Sequence, residues 1–277
     1  MPLRGATGCA LAAPLTGDTL TAARLPVTAG ADAAWQSLLR ASSAPFRPAG
    51  RWAWHWARGK LAHDPVFRCL LEQGHLRTAA RVLDIGCGQG LLASLLQACA
   101  AASAQGHWPA AWPSAPATKA YTGIDLAPRD IERARRALQG PPAPTFVCAD
   151  MRQAPLPACD VVVLLDVLHY IDHAAQHALL RGVQRALAAS PGPGRLLLRV
   201  ADSGQQGRFA YSQWVDRVVS RLHGRQRPDR GGRPLAQWLA LLQDLGFQVQ
   251  AVPMGRGTPF ANVLLVADLP AHKRAPA

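Results

Sequence analysis

No two of the six cysteines (Cys9, Cys69, Cys87, Cys99, Cys148 and Cys159) form a C-x-x-C pair, which argues against zinc and dithiol redox chemistry. No stretch approaches the roughly 18 consecutive apolar residues of a membrane span. The first residues hold one arginine and no sustained apolar run, so a secretory leader is not expected. Cys9 follows Thr7-Gly8 in only a faint likeness of a lipoprotein site. Reduced thiols acting as small hydrophobes, and a cytoplasmic location, are the expectation. Acidic residues are scarce: 17 Asp+Glu face 30 Lys+Arg, for a net charge of +13. The imbalance is local. Residues 82–200 hold ten basic and eight acidic side chains, whereas the first 81 hold ten against four and the last 77 ten against five. The flanks are therefore basic, either as a solvated surface or as the face for an anionic partner.

What the chain does have is a composition that buries a core: 49% hydrophobic residues and 17% charged over 277 residues. Its organising stretch is Val82-Leu83-Asp84-Ile85-Gly86-Cys87-Gly88-Gln89-Gly90. β-Branched Val82 and Ile85 favour a strand. Gly86, Gly88 and Gly90 allow a sharp turn and a close ligand, and a helix from Leu91 offers its unpaired N–H groups. A dinucleotide fingerprint would need a third glycine at position 91, which is Leu91. Asp84, two residues before the turn, would repel a pyrophosphate and suits a cationic ligand. A bare strand–turn–helix with no ligand is the alternative.

This D-x-G-x-G-x-G form resembles the first motif of the class I S-adenosylmethionine (SAM)-dependent methyltransferases. The resemblance extends through three further stretches in the right order. Ala120–Asp125 is a second strand ended by Asp125 and followed by Leu126, and a carboxylate there accepts ribose hydroxyls. The 41 residues from Asp84 to Asp125 exceed the usual spacing because of a Pro-rich insertion over 103–118, expected as a surface loop. Thr145–Ala149 is a third strand ended by Asp150. The resemblance implies that Asp150 meets the adenine amino group and that Met151 packs on the ring. Asp160–Leu165 is a fourth strand, apolar on both faces, running into Asp166-Val-Leu-His-Tyr-Ile171. Asp166 is expected beside the methionine end of the cofactor. His169 is either the general base or a residue that caps the turn and orients the cofactor.

The implied cofactor set is Asp84, Gly86, Cys87, Gly88, Gly90, Asp125, Leu126, Asp150, Met151 and Asp166, with SAM as cofactor, His169 as the catalytic candidate and no metal. Metal binding by Asp160 and Asp166 stays open. The implied fold is α/β, a Rossmann-like three-layer sandwich around a mostly parallel seven-stranded sheet with an antiparallel last strand. The expected divisions are a mobile tail (1–32), an N-terminal helical lid (33–78), the methyltransferase domain (79–269) with a substrate-cap insertion at 201–234, and a tail (270–277). In the lid, Trp52, Trp54 and Trp56 have a strand-like period of two, but Trp52 and Trp56 also fit a helix, which is the reading adopted. With Arg51, Arg58 and Lys60 they form either a lid face or a membrane-surface anchor. The five arginines of Arg221–Arg233 are a candidate site for an anionic partner.

The expected reaction is methyl transfer to a small molecule or to an acyl or aromatic acceptor presented on an acidic carrier protein. No Asn/Asp-Pro-Pro-Tyr/Phe motif of base-amino methyltransferases is present. RNA methylation and an inactive SAM-binding regulatory subunit are the alternatives.

Overall fold

A computed structural model of the chain describes residues 29–140, 143–201, 232–254 and 262–271. The expectations for a tail over 1–28, for most of the 201–234 insertion including Arg221–Arg230, and for residues 272–277 fall outside the described residues.

Three helices lead in: α1 (Ala29–Ser43), α2 (Arg51–His63) and α3 (Pro65–Glu72). α1 begins four residues before the expected edge of the lid, and Asp32 pairs with Arg68 of α3 at 2.7 Å. Residues 29–32, expected as part of a tail, are thus helical and tied to α3. Asp64 ends α2 and caps α3: its carboxylate accepts from the Val66 N–H at 3.1 Å, with Pro65 at the first helical position.

The sheet follows, with β1 (Arg81–Ile85), β2 (Ala120–Asp125), β3 (Thr145–Cys148), β4 (Val161–Leu165), β5 (Gly194–Ala201), β6 (Gln248–Pro253) and β7 (Asn262–Leu269). Between them run α4 (Leu91–Ala104), α5 (Pro128–Ala137), α6 (His173–Ala188) and α7 (Leu235–Asp244). Strand order is β3-β2-β1-β4-β5-β7-β6. β1 to β5 are parallel, and β7 is antiparallel to both β5 and β6. The order reverses between β1 and β4, so the crevice of such a sheet opens at their carboxyl ends.

The strand period of two sorts side chains between two cores. Val82 joins the core under α1–α5, while Leu83 and Ile85 join the core under α6 and α7. Asp84 follows Val82 to the lid side. In β5, Leu196, Leu198 and Val200 enter the second core, which leaves Arg195 and Arg199 on the lid side.

The insertion after α4 differs from the loose surface loop expected of its composition. α4 continues to Ala104, and Trp108 and Trp112 pack edge to face with centroids 5.5 Å apart. Trp112 is buried, and the Trp108 indole N–H donates to the Pro113 carbonyl at 2.8 Å. Two tryptophans supply the apolar area that an Ala/Pro/Ser segment otherwise lacks.

At the amino ends of β1 and β4, Asp160 binds the Arg81 backbone N–H at 2.9 Å and the Ser190 hydroxyl at 2.6 Å. It stands at the far end of β4 from Asp166, so the two carboxylates cannot share a metal. No metal-binding cluster exists among the described residues. Near those ends His75 is buried, and burial together with the charge of Arg195 pushes its imidazole down to about 4, against a smaller upward pull from Asp268. The folded protein holds His75 neutral where the unfolded chain takes up a proton, so stability is lost as pH falls from about 6.5 to about 4. Between pH 7 and pH 4.5, urea unfolding should show wild type losing on the order of 2–3 kcal/mol more stability than His75→Leu. Identical pH slopes would refute this.

Candidate functional site

A cleft of about 230 Å³ opens at the carboxyl ends of β1, β2 and β4. Its floor is the glycine turn. Gly86 has φ +82°, and a Cβ there would stand 2.1 Å from Val167 Cγ1, so the turn and the loop after β4 can approach only across glycine. Gly88, at φ +55°, has open space where its side chain would be. Its N–H donates to Asp125 at 2.9 Å, and the other Asp125 oxygen accepts from the Ala127 N–H at 2.8 Å. Asp125 is thereby fixed at the end of β2 against the turn.

Asp84 is buried beneath the turn, at the cleft wall. The Tyr121 hydroxyl of β2 donates to its carboxylate. Burial pushes the Asp84 carboxyl up to about 7, the Tyr121 bond opposes this, and the nearby Asp125 charge adds to it. The same burial raises the Tyr121 phenol well above its ordinary value. Burial also raises the Cys87 thiol, which sits in the turn as a protonated, unreactive group.

Gln89 is buried among the cleft-lining residues. Its Nε2 donates to the Ala53 carbonyl of α2 at 3.0 Å. A carbonyl only accepts, so this bond fixes which end of the amide is nitrogen. The opposite oxygen, Oε1, is buried with no hydrogen-bond partner among the described residues.

The far end of the cleft is an ionic cluster. Asp166 has a left-handed backbone at φ +58°, the one non-glycine residue so placed among those described. Arg199, 3% exposed, bonds Asp166 through Nε at 2.8 Å and Asp64 through Nη2 at 2.7 Å, with further Nη contacts to both. Lys60 reaches Asp64 at 2.7 Å and Asp166 at 3.9 Å. Burial alone would raise both carboxyls, but Arg199 and Lys60 hold Asp64 and Asp166 below the ordinary carboxylate range. Burial likewise fails to lower Arg199, whose guanidinium is held up by the two carboxylates.

α2 forms the roof. Ala53, Ala57 and Leu61 face inwards and are buried, while Trp52, Trp56 and Lys60 line the cleft at helical spacing. Trp52 and Trp56 stack with centroids 6.2 Å apart and remain 51% and 39% exposed, and Arg133 of α5 lies 4.8 Å over Trp52.

Of the residues singled out in the sequence, Asp84, Gly86, Cys87, Gly88, Asp125 and Asp166 line this cleft. The others lie outside its walls. Gly90, at φ +81°, starts α4 and faces Phe146. Leu126 is 61% exposed on the outer side of the β2 end. Asp150 is engaged by Arg152 through the backbone N–H at 2.9 Å and the guanidinium Nε at 3.0 Å, and Met151 packs at the edge of the second core. His169 lies against Tyr170 in a 3-10 turn, centroids 4.1 Å apart, and Tyr170 is the one of the pair that lines the cleft. Tyr121, Gln89, Lys60, Asp64 and Arg199 were not singled out for this site. The alternation of β1 and β2 carried the signal for Tyr121; the Asp64–Arg199 pairing spans 135 positions and left none.

A larger open hollow, about 670 Å³, lies on the outside of α6 between His177, Arg181, Arg185 and Asp244. It is remote from the strand ends and has none of the convergent groups of the cleft.

Comparison with known proteins agrees with this geometry. A family model described as a methyltransferase domain matches residues 53–252. Nodulation protein S of Sinorhizobium fredii is 24% identical over 162 residues, 58% of this chain and 64% of that protein. The fold matches an O-methyltransferase family protein from Burkholderia thailandensis with a TM-score of 0.55 at 19% identity, over 78% of this chain and 58% of that one. It matches human N-acetylserotonin methyltransferase in complex with SAM with a TM-score of 0.53 at 18% identity, over 84% of this chain and 58% of that one. The chain thus spans about three-fifths of the length of these relatives. A glycine turn pinned to Asp125, at the switch point of this sheet order and within a matched stretch covering most of the chain, places the chain in the methyltransferase-domain family, whose cofactor is SAM.

Proposed function

We propose that the protein transfers the SAM methyl group to a small hydrophobic molecule, or to an acyl or aromatic acceptor held on an acidic carrier protein. The observation that carries the cofactor half is the set of acceptors left over in the cleft. Asp166 is neutralised by Arg199, whereas Asp84 is buried with one neutral donor and Gln89 Oε1 has no partner among the described residues. Buried acceptors without partners are costly, and the ammonium of a cationic ligand supplies donors for them. Asp125, braced by two backbone N–H groups, would take the ribose hydroxyls, and Gly88 leaves the space above the turn open.

When bound, SAM supplies a methyl group on a sulfonium leaving group. What this chain contributes is orientation and exclusion of water. Trp52 and Trp56 cover the cleft from above, and Phe67, Leu165, Val167 and Tyr170 give it apolar walls. Those walls motivate a hydrophobic acceptor.

Titration calorimetry of wild type with SAM and with S-adenosylhomocysteine, alongside Asp125→Ala, tests the reading. Micromolar binding is expected, weakened at least about tenfold in Asp125→Ala, on the scale of a charge-assisted hydrogen bond. Equal affinity in the two proteins would refute the ribose assignment, and no binding to wild type would remove the cofactor reading.

A further inference from the structure

Between residues 33 and 63 there is no acidic side chain, yet this stretch carries Arg40, Arg47, Arg51, Arg58 and Lys60. α2 shows how the charge is arranged. Its inner row is small and apolar, its second row lines the cleft, and its third row, Arg51, His55 and Arg58, is exposed. Arg47 joins this third row from the preceding turn: Arg47 and Arg58 both stack on Trp54, at 5.2 and 5.9 Å from the ring centroid. Stacking fixes two guanidinium planes that would otherwise be loose, and an arginine held in this way is a preorganised receptor for carboxylate or phosphate.

The charge at the start of α2 does not serve the helix. The N-terminus of α2 has no acidic residue in its first turn, a glycine N-cap without a side-chain bond, and Arg51 as its first residue. Cations there oppose the helix dipole. This row is complementary to an external anion. A lipid surface would need apolar groups in the same row as the cations; the outer row, Arg51, His55 and Arg58, has none, and the part-exposed Trp52 and Trp56 belong to the row that lines the cleft. A single strand held by base stacking would need a free aromatic face, and Trp54 already carries two guanidinium groups. A helix with carboxylates about 10 Å apart along its length matches a row from Arg51 to Arg58 at the helical rise.

We propose that the outer face of α2 is the docking surface for an acidic helical carrier protein, which presents the acceptor to the cleft mouth one helix row away. The proposal rests on the carrier-bound reading of the acceptor given above. It places the docking face on α2, apart from another exposed basic row, Arg181 and Arg185 of α6.

The test uses the full-length protein and a fluorescently labelled holo acyl carrier protein as probe. Binding is read by anisotropy at about 10 mM and about 150 mM salt, between which the Debye length falls from about 30 to about 8 Å. Wild type should bind, more weakly at the higher salt. Arg51→Glu/Arg58→Glu should weaken binding at least about tenfold, because like charges across an interface are strongly unfavourable. Arg181→Glu/Arg185→Glu should leave it unchanged. Calorimetric SAM affinity is measured on all three proteins. Its retention in the α2 variant shows that the fold and the cofactor site survive, so loss of docking is read separately from loss of SAM binding. Equal weakening by both pairs overturns the proposal in favour of unspecific charge attraction. Undiminished binding in the α2 variant overturns it, as does wild type that ignores the carrier but sediments with phosphatidylglycerol vesicles.

Discussion

Arg199→Met should destabilise the protein by about 3–5 kcal/mol, the cost of removing one partner from a buried ion pair. Arg199 is the shared partner of Asp64 and Asp166, and without it two carboxylates face each other with only the half-exposed Lys60 between them. In a domain of this size that loss lowers the melting temperature by roughly 6–20 °C. Asp64→Leu on top of Arg199→Met should restore part of it, because the uncompensated charge is then gone. The pH dependence follows from the depressed carboxyls. Groups whose folded values lie below the ordinary carboxylate range contribute stability that is present above about pH 4 and lost as pH falls further. The wild-type advantage over Arg199→Met should therefore shrink in strong acid. Calorimetric melting from pH 7 downwards measures both effects, and an Arg199→Met melting point within a degree or two of wild type would show that the cluster does not hold the lid to the sheet.

The second large effect is on cofactor affinity. Asp84 is protonated in the free folded protein below about pH 7, whereas the unfolded chain loses that proton at its ordinary value of 3.8. The sign is the reverse of the Arg199 cluster: the free protein loses stability as pH rises from about 4 to about 7. Asp84→Asn should consequently be more stable than wild type at pH 8, by at most on the order of 4 kcal/mol. A cationic ligand selects the ionised carboxylate. SAM affinity should fall about tenfold for each pH unit below 7, with a proton released on binding, visible in buffers of different ionisation heat. In Asp84→Asn the affinity should be weak and flat. Tyr121→Phe should move the wild-type profile to higher pH, since the phenol hydroxyl is what draws the Asp84 value down. A wild-type affinity that does not change with pH would refute the assignment of Asp84 to the cofactor cation.

What was legible in the sequence was what adjacent residues decide. Gly86 and Gly90 announce their turn because a side chain at either would strike Val167 or Phe146. Asp125 is readable because it ends an alternating strand, and α2 is readable because Trp52 and Trp56 stand one turn apart. Side-chain direction after a strand is set elsewhere. Asp150 is taken by Arg152, two residues along, and Met151 turns to the core, although their motif positions suggested the cleft. His169 and Tyr170 are neighbours, yet only Tyr170 lines the cleft. The pairs that complete the site join distant segments: Tyr121 to Asp84 and Arg199 to Asp64. No local pattern encodes which cation meets which carboxylate across the sheet.

The roof helix is fastened at both ends, by Gln89 to the Ala53 carbonyl at its start and by the Asp64–Arg199 pair at its finish. A flap hinged at one end swings; a beam pinned at two does not. Traffic through the site therefore has to run past the beam, and any exchange that lifts it must first break a four-charge knot. A variant that loosens either pin should then trade retention of the cofactor for speed of release.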